Sequence, residues 1–286
     1  MMMKRWNKKQ WLCTIAICLT VLTIWIVQSN TTLEITEYSV GSSGVPEAFD
    51  GFRIAQVSDL HNAEFGEENG SLLELLAQTN PDVIVLTGDL IDSRKTDMDI
   101  ALALAGRAVP IAPVYYVTGN HEARIPEYET LKAGLSEAGV TVLDNQKVQI
   151  NLEGESITLM GIQDPSFRTD YLFGDAETVA RQAISSLQKD TDSFTALLSH
   201  RPELFDLYVD TGIDLVFSGH AHGGQFRLPF VGGLVAPNQG FLPKYDAGQF
   251  IRENTTMIVS RGVGNSIIPF RIHNPPEIVV VELKRQ

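Results

Sequence analysis

DVIVLTGD, residues 82–89, is an apolar run that stops on a glycine and a carboxylate. A short apolar run bounded by turn residues reads as a buried strand, which puts Gly88 and Asp89 at its carboxyl end. The same form recurs on both sides. FRIAQVSD (52–59) ends on Asp59, with His61 just beyond; PVYYVTGN (113–120) ends on Asn120, next to His121; FTALLSH (194–200) ends on His200. DLVFSGHAHGGQF (214–226) reads as a strand over 214–217, then a glycine-punctuated turn bearing His220 and His222. Residues two apart in extended backbone point the same way, so these two imidazoles can share one target.

Helices are predicted at 71–79, where Leu72, Leu73, Leu75 and Leu76 form a core face, and near 97–108, 127–138 and 175–188. Further strands are predicted at about 140–143, 147–152, 156–161 and 276–283. Strands alternating with helices predict an α/β domain whose functional loops lie at the carboxyl ends of the strands. The five polar clusters are then expected to converge on one edge of a sheet. Taken singly, each reads as a turn or a surface histidine. Five in order, holding five of the six histidines, point to a common site of oxygen and nitrogen donors suited to first-row divalent metals, with no thiolate competing.

The chain has 286 residues, 44% of them apolar, enough for a sizeable core. Its 35 Asp and Glu outnumber its 22 Lys and Arg, a surface that repels nucleic acid, so no nucleic-acid partner is expected. Lys4, Arg5, Lys8 and Lys9 precede WLCTIAICLTVLTIWIV (11–27), which carries no charge. The run predicts a single-pass signal-anchor in the cell membrane, basic flank inside and the remainder extracytoplasmic. The alternative is a signal peptide cleaved near Val27, Gln28 and Ser29, which would leave a secreted protein. Cys13 and Cys18 both fall inside the run, so the remainder cannot rely on disulfides. The expected organisation is a basic tail and span at 1–29, a stalk and entry to the domain at 30–50, and one domain at 51–286.

DLH (59–61), GDLID (88–92), GNHE (119–122), SH (199–200) and GHAH (219–222) resemble the five ordered blocks of the calcineurin-like metallophosphoesterases. GGQ (223–225), SRGVG (260–264) and the PPEIVVVEL end are similar to the membrane-associated bacterial branch of that family. The resemblance implies a four-layer α/β/β/α sandwich of two facing sheets and a two-metal centre. Asp59, His61, Asp89 and His222 would hold one ion, and Asp89, Asn120, His200 and His220 the other, with Asp89 bridging. Two cations about 3.5–4 Å apart acidify a water and stabilise the charged oxygens of a phosphate under in-line attack. Mn2+ is the expected metal, with Fe, Zn and Mg as alternatives.

His121 adjoins a ligand without being one; in the family its counterpart contacts phosphate or protonates the leaving oxygen. Asp92 is expected either to accept its other ring proton or to be a turn residue. Glu122 is expected to be structural. The Asp-Arg-Gly that protein phosphatases carry after the second block is here Asp92-Ser93-Arg94, which disfavours phosphoprotein substrates. The expected substrate is a phosphomonoester, phosphodiester or pyrophosphate, with a lipid-linked or cell-envelope phosphate fitting the anchor. A non-catalytic envelope protein that binds metal or a ligand on the same fold is the rival, but no ligand position is broken.

Arg201, Arg124 and Arg261 neighbour the motifs and are expected to pair structurally or with phosphate. GVGNS (262–266) predicts a tight turn near the site, because Pro269 argues against the helix a dinucleotide motif needs. His273 is expected at the surface. The apolar stretch 226–243 is expected to be either a substrate groove or a covered sheet edge.

Overall fold

The computed structural model describes residues 7–168, 176–187, 193–265 and 267–286. It opens with helix α1 (Lys8–Thr31), followed by β1 (Glu34–Ser42), β2 (Arg53–Val57), α2 (Gly70–Gln78), β3 (Val83–Thr87), α3 (Met98–Ala108) and β4 (Val114–Val117). Next come α4 (Tyr128–Glu137), β5 (Thr141–Val142), β6 (Gln146–Leu152), β7 (Glu155–Gly161), α5 (Ala176–Leu187), β8 (Thr195–Leu198), α6 (Phe205–Asp210) and β9 (Leu215–Ser218). Four two-residue strands, β10 (Arg227–Leu228), β11 (Gly232–Gly233), β12 (Val235–Ala236) and β13 (Gly240–Phe241), lead to β14 (Gly248–Arg252), β15 (Thr255–Val259) and β16 (Glu277–Arg285). Lys4 and Arg5, and the end residues of the helix predicted near 175–188, lie outside the described residues.

Two six-stranded sheets form, in the orders β1-β16-β2-β3-β4-β5 and β14-β15-β9-β8-β7-β6. Strands β2 to β5 run parallel, as do β7, β8, β9 and β15. Alternation along each strand explains how the sheets stack. On β3, Val83 and Val85 enter the core between the sheets, while Ile84 and Leu86 join Leu72, Leu104 and Leu131 under α2, α3 and α4. On β9, Leu215 and Phe217 face the same middle core, and Val216 packs with Ile184 and Tyr208 under α5 and α6. Strands covered on both faces must be apolar throughout, which is why 82–89 reads as a continuous run. The result is the α/β/β/α sandwich. Gln56, buried in its middle layer, bridges the sheets by donating to Thr87 Oγ1 (2.8 Å) and Ser218 O (2.9 Å).

Two expectations are corrected. Residues 30–50 are not a free stalk, since β1 pairs with β16 over nine residues and buries Val40, and Phe49 is also in the core. Pairing covers an edge that β16, apolar and buried, would otherwise leave open. The polar strand ends also do not share one sheet: β2, β3 and β4 lie in the first, β8 and β9 in the second.

Helix α1 has 24 residues and a mean hydropathy of 2.1 over its most apolar window, long and apolar enough to cross a membrane. Its amino end is closed by a capping box between Asn7 and Gln10. Its last turn is fastened to the domain. Asn30 Nδ2 donates to Arg271 O (3.1 Å), the Arg271 N–H donates back to Asn30 Oδ1 (2.8 Å), and Asn265 Nδ2 donates to the same oxygen (3.2 Å).

Candidate metal centre

Asp59 and His61 follow β2, Asp89 follows β3, Asn120 and His121 follow β4, His200 follows β8, and His220 and His222 follow β9. All are buried. Because the contributing strands are parallel within each sheet, their carboxyl ends open on one side, and the facing sheets bring the two groups together. Among the seven predicted ligand positions, Asp59, His61, Asp89, His220 and His222 have left-handed backbone, with φ between 46° and 66°. Such conformations cost on the order of 1–3 kcal/mol each and persist where the surroundings over-determine them. Close backbone contacts do so here. A Cβ on Gly119 would collide with the Asp89 carboxylate, and the Val263 and Gly264 amides donate to the Ser58 and Asp59 carbonyls (2.9 and 2.7 Å).

The predicted ligands gather into two trios able to hold a metal, Asp59-His61-His222 and Asp89-His200-His220, and a third such group, His61-Asp92-His121, shares His61; in each the ligand atoms lie within 4.8 Å of one another. His222 Nε2 stands 3.4 Å from Asp59 Oδ1 and 3.2 Å from His61 Nε2. Asp89 Oδ2 links the trios, lying 3.2 Å from His200 Nε2 and 3.6 Å from His61 Nε2. His200 Nδ1 faces the Thr87 carbonyl at 2.7 Å, which makes it the protonated nitrogen and turns a bare Nε2 toward Asp89. Buried His200 Nε2 and Asn120 Oδ1 have no hydrogen-bond partner within the protein. Such lone pairs are costly to leave unmet, and the donor set fits divalent cations.

The electrostatics agree with that fit. Burial should lower the His200 pKa, yet the carboxylates of Asp89 and Asp59 push it up to about 10, so near neutral pH a proton takes the Nε2 lone pair of the neutral ring and the pocket favours positive charge at that nitrogen. Burial holds the His222 imidazole down at about 3, in the neutral form a ligand needs. Glu122 is structural, accepting the amides of Gly119 (2.7 Å), Asp89 (3.0 Å) and Leu90 (2.8 Å) and so joining the loops after β3 and β4. Burial and the nearby Asp89 charge push its carboxyl up to about 7.

His121 packs edge-on against His61, with ring centroids 4.6 Å apart. Asp92 does not make the predicted hydrogen bond to it, since its Oδ1 is 3.7 Å from Nδ1. The Asp92 carboxylate instead accepts from the Arg94 backbone (2.9 Å) and guanidinium (3.0 and 2.5 Å). Burial would raise its pKa, but those Arg94 bonds hold it at about 2. The Ser93 N–H donates to His121 Nδ1 at 3.0 Å, which puts the hydrogen of the neutral ring on Nε2. Burial depresses this imidazole to about 4, so the ring is neutral near neutral pH.

Arg201 makes a buried two-point ion pair with Asp164 (2.6 and 2.9 Å), and its Nη1 lies 3.2 Å from His220 Nε2. Arg261 pairs with Glu277 and Glu34, whereas Arg124 lines the metal cavity. His273 is exposed. Sequence reasoning missed Ser93, Asp164 and Asn274, whose Nδ2 donates to the carbonyls of His222 (2.8 Å) and Gln225 (3.2 Å). Asp164 had a signal. It follows predicted strand 156–161 as the recognised residues follow theirs.

The profile of the family described as calcineurin-like phosphoesterase matches residues 52–224. The uncharacterized metallophosphoesterase YkuE of Bacillus subtilis is 30% identical over 259 residues, covering 88% of this chain and 86% of its own. The phosphodiesterase YaeI of Escherichia coli is 28% identical over 240 residues, covering 81% and 82%. The crystal structure of TT1561 from Thermus thermophilus superposes with a TM-score of 0.51 at 16% identity, over 74% of this chain and 90% of that one, and shares the fold. The chain belongs to the calcineurin-like phosphoesterase family and is a metal-dependent phosphoester hydrolase.

Proposed function

We propose that the chain is a membrane-tethered phosphoesterase working with two divalent ions. Asp59, His61, Asp89 and His222 hold one; Asp89, Asn120, His200 and His220 hold the other. The observation carrying this reading is the position of Asp89 Oδ2, within 3.6 Å of an imidazole nitrogen from each trio. When bound, such ions supply Lewis acidity toward phosphate oxygens and lower the pKa of water. Mixed oxygen and nitrogen donors without thiolate fit divalent cations; Mn2+ is the ion we propose, with Fe, Zn or Mg as the other candidates.

The chain's own groups do the rest. Ser93 fixes the neutral His121 ring so that Nε2–H can contact a phosphate oxygen; passing a proton to the leaving oxygen would need the imidazolium, with Nδ1 protonated and released from the Ser93 N–H. Asp92 acts one step removed, by holding Arg94 and the loop that carries Ser93. Arg201, tied to Asp164, orients His220.

In this reading 1–29 form the basic tail and span, and the hydrolase lies outside the cell membrane. Helix α1 runs unbroken through residues 27–29 with Ser29 buried, as a retained anchor would have it. Lys8 and Lys9 start the helix, and Glu34 and Glu37 follow it, the charge asymmetry of an outward-facing domain. An extracytoplasmic position makes cell-envelope phosphates, including lipid-linked ones, the candidate substrates. The deciding experiment gives the purified full chain Mn2+ and compares a monoester, a diester and a lipid pyrophosphate in parallel. Turnover of one class well above the others identifies the bond, and turnover of none refutes the reading.

A further inference from the structure

Residues 226–243 and 262–276 contain no Asp or Glu, although the whole chain carries 35. Both segments border the metal centre. Val263 and Gly264 bond the backbone of Ser58 and Asp59, and Phe226 directly follows the turn bearing His222. Several of their large apolar side chains point outward. Phe230 is fully exposed, and Phe241 and Ile267 are about three-quarters exposed (73% and 77%), as the side chains of an ordinary domain surface seldom are in a group.

Pairing holds this rim in place. β10 and β11 form a hairpin with Phe230 and Val231 at its tip, and β12 and β13 place Phe241 opposite Val235. Gln225 Nε2 donates to the carbonyls of Ile268 (3.0 Å) and Phe270 (2.8 Å), and Phe270 packs on Phe226. Between β12 and residues 267–268 runs an apolar groove of about 270 Å³, walled by Val235, Ala236, Pro237, Ile267 and Ile268. His222, Pro237 and Ile267 line both this groove and the cavity holding Asp89, Asn120 and His121. The groove therefore opens on the metal centre.

Helix α1 leaves the domain on the same side. Its last turn is bonded to Asn265 and Arg271, Trp25 faces the His273 ring (6.2 Å between centroids), and Trp25 lines one cavity with Leu228, Pro229 and Phe230. The apolar surface of a helix that only a bilayer can cover thus continues into the rim. The two segments bring no carboxylate of their own, and of those beside them Asp246 is paired with Arg227 and Glu203 with Asn238, so this part of an otherwise acidic protein is the part an anionic leaflet would repel least.

We propose that the rim is a membrane-contact surface and that the groove beside His222 holds a hydrocarbon chain of a membrane-borne phosphate ester, whose phosphate lies at the metal centre. This rests on the reading above that the centre hydrolyses phosphate esters and that α1 spans the membrane. Water-soluble esters are poor occupants of such a groove, because they bury nothing there.

The test uses the full chain with Mn2+ in phosphatidylcholine nanodiscs containing lipids with a photoactivatable acyl chain, one probe bearing a non-hydrolysable phosphonate head and the other choline. Peptide mapping should find both probes on residues 228–231 and 241–242. Leu152 and Ile251, also exposed but at the opposite ends of their strands by register, should stay unlabelled. The phosphonate probe should label Val235, Pro237 and Ile268 several-fold more than the choline probe. Labelling confined to α1 overturns the membrane face, and equal groove labelling by both probes overturns the chain seat. Turnover of a soluble aryl phosphate in the same discs separates the two readings: turnover with a clean rim sinks this proposal alone, and a labelled rim with no turnover and no bound metal sinks the hydrolase reading alone.

Discussion

Two neighbouring regions of the molecule reverse the usual distribution of polarity in opposite directions. At the strand ends Asp59, Asp89, His200, His220 and His222 are polar and buried; a few residues on, Phe230, Phe241 and Ile267 are apolar and exposed. Neither arrangement helps an isolated domain. Burying polar groups costs free energy unless they find partners, and exposed apolar groups forgo the gain of burial. In the reading proposed here both would become favourable when something from outside arrives, cations in the first region and hydrocarbon in the second. The comparison teaches that function is read where a residue's environment contradicts its chemistry.

That comparison can be broken by substitution. The largest effect expected is at His121, proposed to contact the reacting group without holding metal. His121→Ala should keep metal content and lose about 10²–10⁴-fold in turnover of a substrate with a poor leaving group. Near-normal turnover would remove it from the chemistry.

Next is the buried pair behind the centre. Breaking Arg201–Asp164 leaves a buried charge unpaired, so Asp164→Ala should cost roughly 3–5 kcal/mol in denaturant unfolding. The pair also sets a pH dependence. Burial raises the Asp164 pKa but Arg201 overcomes that, and the net folded value lies below the usual one. A depressed carboxyl contributes stability above its unfolded pKa, near 4, and loses it as pH falls through the folded value. The gap between parent and variant should therefore narrow as the solution is acidified below about pH 4. A constant gap would mean that packing alone is responsible.

The smallest effect sharpens the contrast most. Phe217 fills the core between the sheets, whereas Phe230 touches solvent on all sides. Phe217→Ala should cost about 3–5 kcal/mol, and Phe230→Ala should stay within about 0.5 kcal/mol. A large loss at Phe230 would make the rim a structural element.

The strands and their polar ends were legible because each is a local pattern, an apolar run closed by Gly, Asp, Asn or His. Sheet membership was not. β1 buries only Val40 along its length and is held by a partner more than 230 residues away, so its own residues give little sign of a strand. The convergence of His61 with His222 depends on which strands face each other, a property of the whole chain. Left-handed backbone at Asp59 and Asp89 is likewise imposed by tertiary contacts such as Gly119 against Asp89. Ser93 acts through a backbone N–H, which any residue but proline would supply, and no reading of side-chain types could single it out.

The central claim is that one Asp89 oxygen serves two cations. Metal analysis of the purified full chain tests it most directly, run side by side on the unaltered protein and Asp89→Ala. The account predicts about two divalent ions per chain in the first and a marked loss in the second, with the circular dichroism of the fold retained. Undiminished two-ion occupancy in Asp89→Ala would contradict it.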